Sequence, residues 1–230
     1  MTRPDPNECR RCGQCCTQGG PVLHAQDLDL FARRVLDLAD VVTLRAGEPV
    51  FDNPHDATAP IAREMLKVRG RGATWICHFY EPDERACAIY DNRPAECRAL
   101  LCSRPDDLLA MYETGRITRA DVLPAGHPML ELAAEHDARC PAARAVELGR
   151  RLAAAPEAER PAAIAELEPL LHYDRELRRT VGEKTGLPPE ALDFLFGRPL
   201  PAVLAPLGVL VSFEPGAVRV RIRRPAGGPR

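Results

Sequence analysis

The sequence predicts an α+β protein. A small, irregular, cysteine-rich module with short hairpins and helices comes first, then a mainly helical region, then a C-terminal β-hairpin. Three observations predict this. Cysteines crowd the first part of the chain, with Cys9, Cys12, Cys15 and Cys16 followed by Cys77, Cys87, Cys97 and Cys102. Beyond residue 104, Ala/Leu-rich segments run at helical spacing between prolines. At the end, Val218, Val220 and Ile222 alternate with Arg219, Arg221 and Arg223, the period of a strand with one apolar and one basic face. The expected divisions are 1–104, 105–200 and 201–230.

Taken in order, 9–20 reads as a loop, because Gly13, Gly19 and Gly20 allow tight turns. Residues 25–40 read as an amphipathic helix carrying Leu28, Phe31, Val35 and Leu38 on one face. The stretch 44–60 is turn-rich and reads as irregular. Segments 65–68 and 74–77 suggest a hairpin around Arg69–Gly72. The segments starting at Cys77 and Cys87 suggest a second one, around Glu81–Arg85. Arg93-Pro94 opens a short helix that carries Cys97. Helices follow at 108–112, 129–138, 142–154, 157–168, 170–181 and 190–196. The hairpin 208–213/217–223 turns at Glu214-Pro215-Gly216.

Composition excludes several classes. A net charge of −2 and a pI near 6.3 give no footprint for a general nucleic-acid binder. No apolar run approaches the roughly 20 residues needed to span a bilayer. The start, Met-Thr-Arg-Pro-Asp-Pro-Asn-Glu, lacks the apolar stretch of a secretory signal. The expected location is therefore cytoplasmic, a reducing compartment in which tight cysteine spacings bind metal rather than form disulfides. The odd count of 9 cysteines also fits a complete disulfide framework poorly.

A C-x2-C turn brings two thiolates to one soft ion. Cys9, Cys12 and Cys15 form C-x2-C-x2-C, the way bacterial ferredoxins present thiolates to a [4Fe–4S] cluster. Zinc more often takes two separated pairs. The tandem run favours an iron–sulfur cluster (4Fe–4S) over zinc. Eight cysteines allow two four-thiolate sites, one cluster plus spare thiols, or a binuclear centre. Cys140 stands apart and reads as a small buried hydrophobe.

The run C-x2-C-x2-C-C and the block C-x-I-Y-x-x-R-P-x-x-C-R from Cys87 to Arg98 resemble the YkgJ-type cysteine-cluster family, described as zinc- or iron-chelating. The resemblance covers about 7–104. It implies a metal-binding role for Cys9, Cys12, Cys15, Cys16, Cys77, Cys87, Cys97 and Cys102. Flagellin lysine N-methylases are counted among that family, so the alternative reading is an iron–sulfur enzyme that modifies a protein or peptide. A nucleotide-fold methyltransferase would need a glycine-rich strand–turn–helix loop, and Gly70-Arg71-Gly72 is a weak match to one.

Arg93 and Arg98 flank Cys97. They would neutralise a thiolate centre or bind an anionic cofactor or substrate, or else pair with Asp91 or Glu96. Tyr80 and Tyr90 read as packing over the centre. His78 follows Cys77 but should face the other way along a strand. His136 and Cys140, four apart, could form a ligand pair, although Pro141 weakens that geometry. His24, His55, His127 and His172 read as surface or capping residues. The basic face of the last hairpin reads as solvated. The expected function is a metal-binding protein, structural or electron-transferring, with a protein partner or protein substrate and no membrane.

Overall fold

A computed structural model describes residues 9–72, 74–101, 104–215 and 217–223. Helices and small strand pairs share the chain, an α+β arrangement. It divides into two compact units. One holds the chain up to Thr43 together with Met65–Ala125. The other holds Leu44–Glu64 together with the chain from Gly126 onward.

In the first unit, three segments distant in sequence form the core. Leu23 donates its N–H to Leu66 O at 2.9 Å, Leu66 to Ile117 O at 3.0 Å, and Ile117 to Leu23 O at 3.0 Å. All three side chains are buried. Strand Met65–Val68 pairs with Val41–Leu44, so its partner is long-range, not the expected 74–77 segment. Among the described residues that segment forms an isolated bridge, Gly70 to Cys77, and no strand. The expected 25–40 helix is also shorter. A 3-10 turn Ala25–Asp27 leads into helix Leu28–Ala32, and Arg34, just past its C-cap, turns the chain away with φ of 57°. Asp37 then starts a new turn by accepting the Ala39 N–H at 2.7 Å. Local capping outcompetes helix continuation there.

The second unit is mostly helical. Helices Pro128–Arg139, Ala142–Ala154, Pro189–Phe196 and Leu200–Leu204 surround one long helix, Arg160–Thr185. Two separate helices were expected across Pro169, yet one helix runs through it. A proline inside a helix costs about 3 kcal/mol. Leu167 and Leu171, both fully buried on either side of it, offset that cost. Gly186, at φ 70°, ends the helix in the left-handed conformation that glycine favours.

The hairpin Val209–Glu214/Ala217–Ile222 matches the expected one, with Val211 opposite Val220. Val209 and Val218 face the same core as Leu148, Leu152, Leu171 and Leu204. The stretch expected to be irregular holds a second hairpin, Pro49–Asp52 against Ala57–Pro60. Its prolines sit opposite each other at the open end of an edge ladder, where a missing N–H is tolerated.

Candidate metal centre

The first cysteine run is shaped by positive φ angles. Arg11 (φ 52°) and Gly13 (φ 78°) bend the chain around Cys12. The turn aims the Arg11 N–H at Cys9 Sγ, 3.4 Å away. Such N–H groups stabilise thiolate charge and tune bound metal. Gly13 is needed for space as well, since a Cβ there would lie 2.1 Å from Tyr80 Oη. The stretch expected to be a loop then forms the short helix Gln14–Gln18, which carries Cys15 and Cys16 with their sulfurs 3.9 Å apart.

Other elements bring further thiols alongside. Cys77 donates its backbone N–H to Cys16 O at 2.8 Å. The second expected hairpin forms as Tyr80–Glu81 against Ala86–Cys87, with Tyr80 opposite Cys87. Cys97 rides on helix Ala95–Ala99. Cys77 is buried, Cys12 is exposed, and Cys9, Cys15, Cys16, Cys87 and Cys97 lie between. Cys102 falls outside the described residues.

The sulfurs form one electrostatic neighbourhood. A hydrogen bond from Cys16 lowers the Cys15 thiol to about 6, and the same bond, with burial, raises Cys16. Burial, and then neighbouring thiols, raise Cys77, Cys87 and, most strongly, Cys97. Buried thiols that oppose each other's ionisation form a donor set suited to a soft cation, which would favour the thiolates together. The Arg93 Nε is buried beside this set without a hydrogen-bond partner among the described residues. The residues therefore fit zinc, iron or an iron–sulfur cluster.

Neighbouring charges hold the unit in place. Lys67 is desolvated, which lowers its ammonium pKa, and donates to Gly20 O. His24, read as surface or capping, does cap a turn but is buried. Its Nε2 lies 3.2 Å from Glu96 Oε1 and its Nδ1 2.8 Å from Thr114 O. Burial opposes its charge, but these two acceptors outweigh burial and raise its pKa. Asp27 accepts from His24 N and Ala95 N, and burial raises its pKa. Glu96 also accepts from Val22 N and is not ion-paired to Arg93. Arg98 lies 3.9 Å from Asp27. His78 faces Asp40, 3.2 Å away.

The second unit has its own cluster. Donor atoms of His136, Cys140 and Asp174 lie within 4.8 Å of one another, all buried. Among the described residues no three thiol sulfurs come as close together. His136 and Cys140 do converge, as their spacing suggested, but hydrogen bonding decides what the cluster can do. Arg45 Nη1 lies 3.4 Å from His136 Nδ1, and a guanidinium can only donate. The bare nitrogen is therefore Nδ1, and Nε2 carries the proton it donates to Asp174 Oδ1 at 2.9 Å. Asp174 also accepts from Arg178 Nε at 2.8 Å and Leu200 N at 2.9 Å. Burial raises Asp174, but these partners outweigh it and hold the carboxyl well below its usual range. With two guanidiniums against it and its imidazole lone pair already engaged, this cluster is a hydrogen-bonded lock rather than a cation site.

The lock is what ties Leu44–Glu64 to the helices. Arg45 also donates to Cys140 O at 3.0 Å and to Glu48, which Arg198 Nε reaches at 2.7 Å. A Cβ on Gly197 would lie 2.9 Å from the Arg45 side chain. Sequence reasoning missed Arg45, Glu48, Asp174 and Arg178. Asp174 and Arg178 stand four apart on a helix, the spacing of an ordinary surface pair, so only the fold reveals that Asp174 is buried.

A thiol-rich site of this kind defines a soft-metal-binding protein. The model of one family, "CxxCxxCC: Putative zinc- or iron-chelating domain", matches residues 8–124, and the chain belongs to that family. The match runs about twenty residues beyond the cysteine block, through the Ile117 segment that completes the first core. No curated protein and no solved structure matches the chain. Among the described residues no helix is long and apolar enough to cross a membrane.

Proposed function

We propose that Cys9, Cys12, Cys15, Cys16, Cys77, Cys87, Cys97 and Cys102 hold an iron–sulfur centre in the first unit. The observation that carries this is geometric: Cys77 donates its backbone N–H to Cys16 O, and Tyr80, paired with Cys87, packs against Gly13, so the 9–16 run, Cys77 and Cys87 are drawn to one place. That set holds more thiols than one tetrahedral zinc requires. Such a cluster supplies one-electron chemistry or a rigid clamp. The chain's own residues supply the thiolates, the Arg11 N–H to sulfur and the cations Lys67 and Arg98. The protein acts on or with a protein partner, in the reducing cytoplasm that keeps free thiols reduced.

Metal and acid-labile sulfide analysis, with a visible spectrum, on protein purified without oxygen tests the reading. Iron with matching sulfide and a brown colour supports it. Zinc in a colourless protein replaces it with a structural zinc module.

A further inference from the structure

Three side chains beside the cysteines make an arrangement that the thiols do not require. The guanidinium carbon of Arg11 lies 3.8 Å from the centre of the Tyr90 ring, and that of Arg93 lies 4.1 Å from the same centre. The two cations are thus no farther apart than the sum of those distances. Stacking on an aromatic face orients a guanidinium while leaving its in-plane N–H groups free.

Two positive charges that share one ring repel unless something negative joins them. Among the described residues, neither Arg11 nor Arg93 has a carboxylate in salt-bridge distance. Elsewhere arginines find partners readily, as Arg144 does with Glu147 and Glu166 and Arg179 with Glu176 and Glu183. The nearby carboxylates are engaged otherwise: Glu96 holds His24 and Val22 N, and Asp27 holds His24 N and Ala95 N.

The two arginines are positioned differently. Arg93 is fixed, with Nη1 donating to Tyr90 O at 2.9 Å and Nε buried without a partner. Arg11 is exposed, and its backbone sits at φ 52°, uncommon for a residue with a side chain. That left-handed turn lies between Cys9 and Cys12, so the bend that shapes the cysteine run also carries the Arg11 guanidinium to Tyr90.

We propose that Arg11, Tyr90 and Arg93 form a clamp for one oxyanion, a carboxylate or phosphate group, at the rim of the cysteine centre. This deepens the reading above and rests on it for its meaning, since the clamp would hold the anionic end of a substrate or partner beside the metal. Tyr90 is the platform, Arg93 the fixed donor and Arg11 the second donor on the exposed side. Two forked donors match either oxyanion.

The test is calorimetric titration of the purified full chain with glutarate and, separately, with inorganic phosphate, at constant ionic strength. Saturable binding is expected for at least one probe. The stronger probe tells whether the natural group is a carboxylate or a phosphate. Arg11→Gln and Arg93→Gln should each weaken binding about tenfold, as expected for loss of a charge-assisted pair. Arg11→Lys should recover little, because a point charge does not reproduce the fork.

Metal content is measured on every variant. Absence of saturable binding, or binding unchanged in the Arg11→Gln/Arg93→Gln double variant, overturns the clamp. So does loss of metal in both single variants, which would assign the arginines to the centre itself. A chain that binds the probes in this arginine-dependent way but holds no metal would keep the clamp and remove the metal reading.

Discussion

The two units solve the same problem with different materials. The second buries a continuous apolar cluster, with Leu148, Leu152, Leu167, Leu171, Leu200 and Leu204 almost wholly out of solvent. The first has short helices of four to six residues and strands of two to four. Elements that short do not persist by their own propensity. What the first unit has instead is a ring of long-range backbone bonds, buried His24 and Asp27, and a group of thiols. The second unit is therefore expected to stand on its core, and the first on its metal.

Metal removal should break this comparison most visibly. Structural metal ions contribute on the order of 10 kcal/mol to small modules. Chelation, or Cys97→Ser, should abolish the thermal transition of the first unit while leaving the helical circular dichroism of the second unit nearly intact. A single transition that moves as a whole would show that the units are not separable.

Asp174→Asn should do the opposite. Removing one partner from a buried ion pair costs about 3–5 kcal/mol. That loss should appear in the helical transition, with metal content unchanged. Leu171→Ala should cost about 2–5 kcal/mol in the same transition through the cavity it leaves.

Acid and base should sort the units by sign. His24 has a raised folded pKa, so its contribution is complete below its ordinary value of 6.5 and is lost as pH rises through the folded value. Asp174 has a lowered folded pKa, so its contribution is complete above the ordinary 3.8 and is lost as pH falls through the folded value. Melting across pH should weaken the first unit as pH rises above the ordinary imidazole value and the second as pH falls below the ordinary carboxylate value. Equal response of both transitions would contradict the separation.

Cys140→Ser should have the smallest effect, about 1–2 kcal/mol, with no loss of metal. Burial pushes this thiol up to about 12 and its Sγ faces Leu170 O, so it behaves as a packed side chain. Loss of metal in this variant would move the centre to the wrong unit.

These contrasts follow what the amino-acid sequence reveals. The cysteine run, the 77–90 hairpin, the Ala142–Ala154 helix and the last hairpin are legible because their signals are local: fixed spacing, helical period, strand alternation. The pairing of Met65–Val68 with Val41–Leu44 is not, because a four-residue strand carries no mark of its partner. The Arg45 lock is hidden for a related reason. Its members, Arg45, Glu48, His136, Asp174 and Arg198, are ordinary polar residues scattered over the chain, and only the fold, which buries the first four and brings Arg198 to Glu48, makes them a unit. Pro169 misleads because a local breaker is overridden by the leucines buried around it. At the centre, the thiols are legible and Arg11 is not, since an exposed arginine inside a cysteine loop looks like filler until its backbone twist and the Tyr90 ring are seen together.

The path of Leu44–Glu64 has a consequence for how this protein can be divided. The family-matched stretch contains this segment, yet the segment folds with residues beyond Gly126. A fragment ending near residue 124 would keep every matched cysteine and still expose Arg45 and Glu48, severed from His136, Cys140 and Arg198. On the ribosome, the same hairpin must wait, unpartnered, until the last helices emerge. Shuffling the cysteine module as a free-standing cassette therefore requires either replacing those two charged side chains or carrying the helical half along with it.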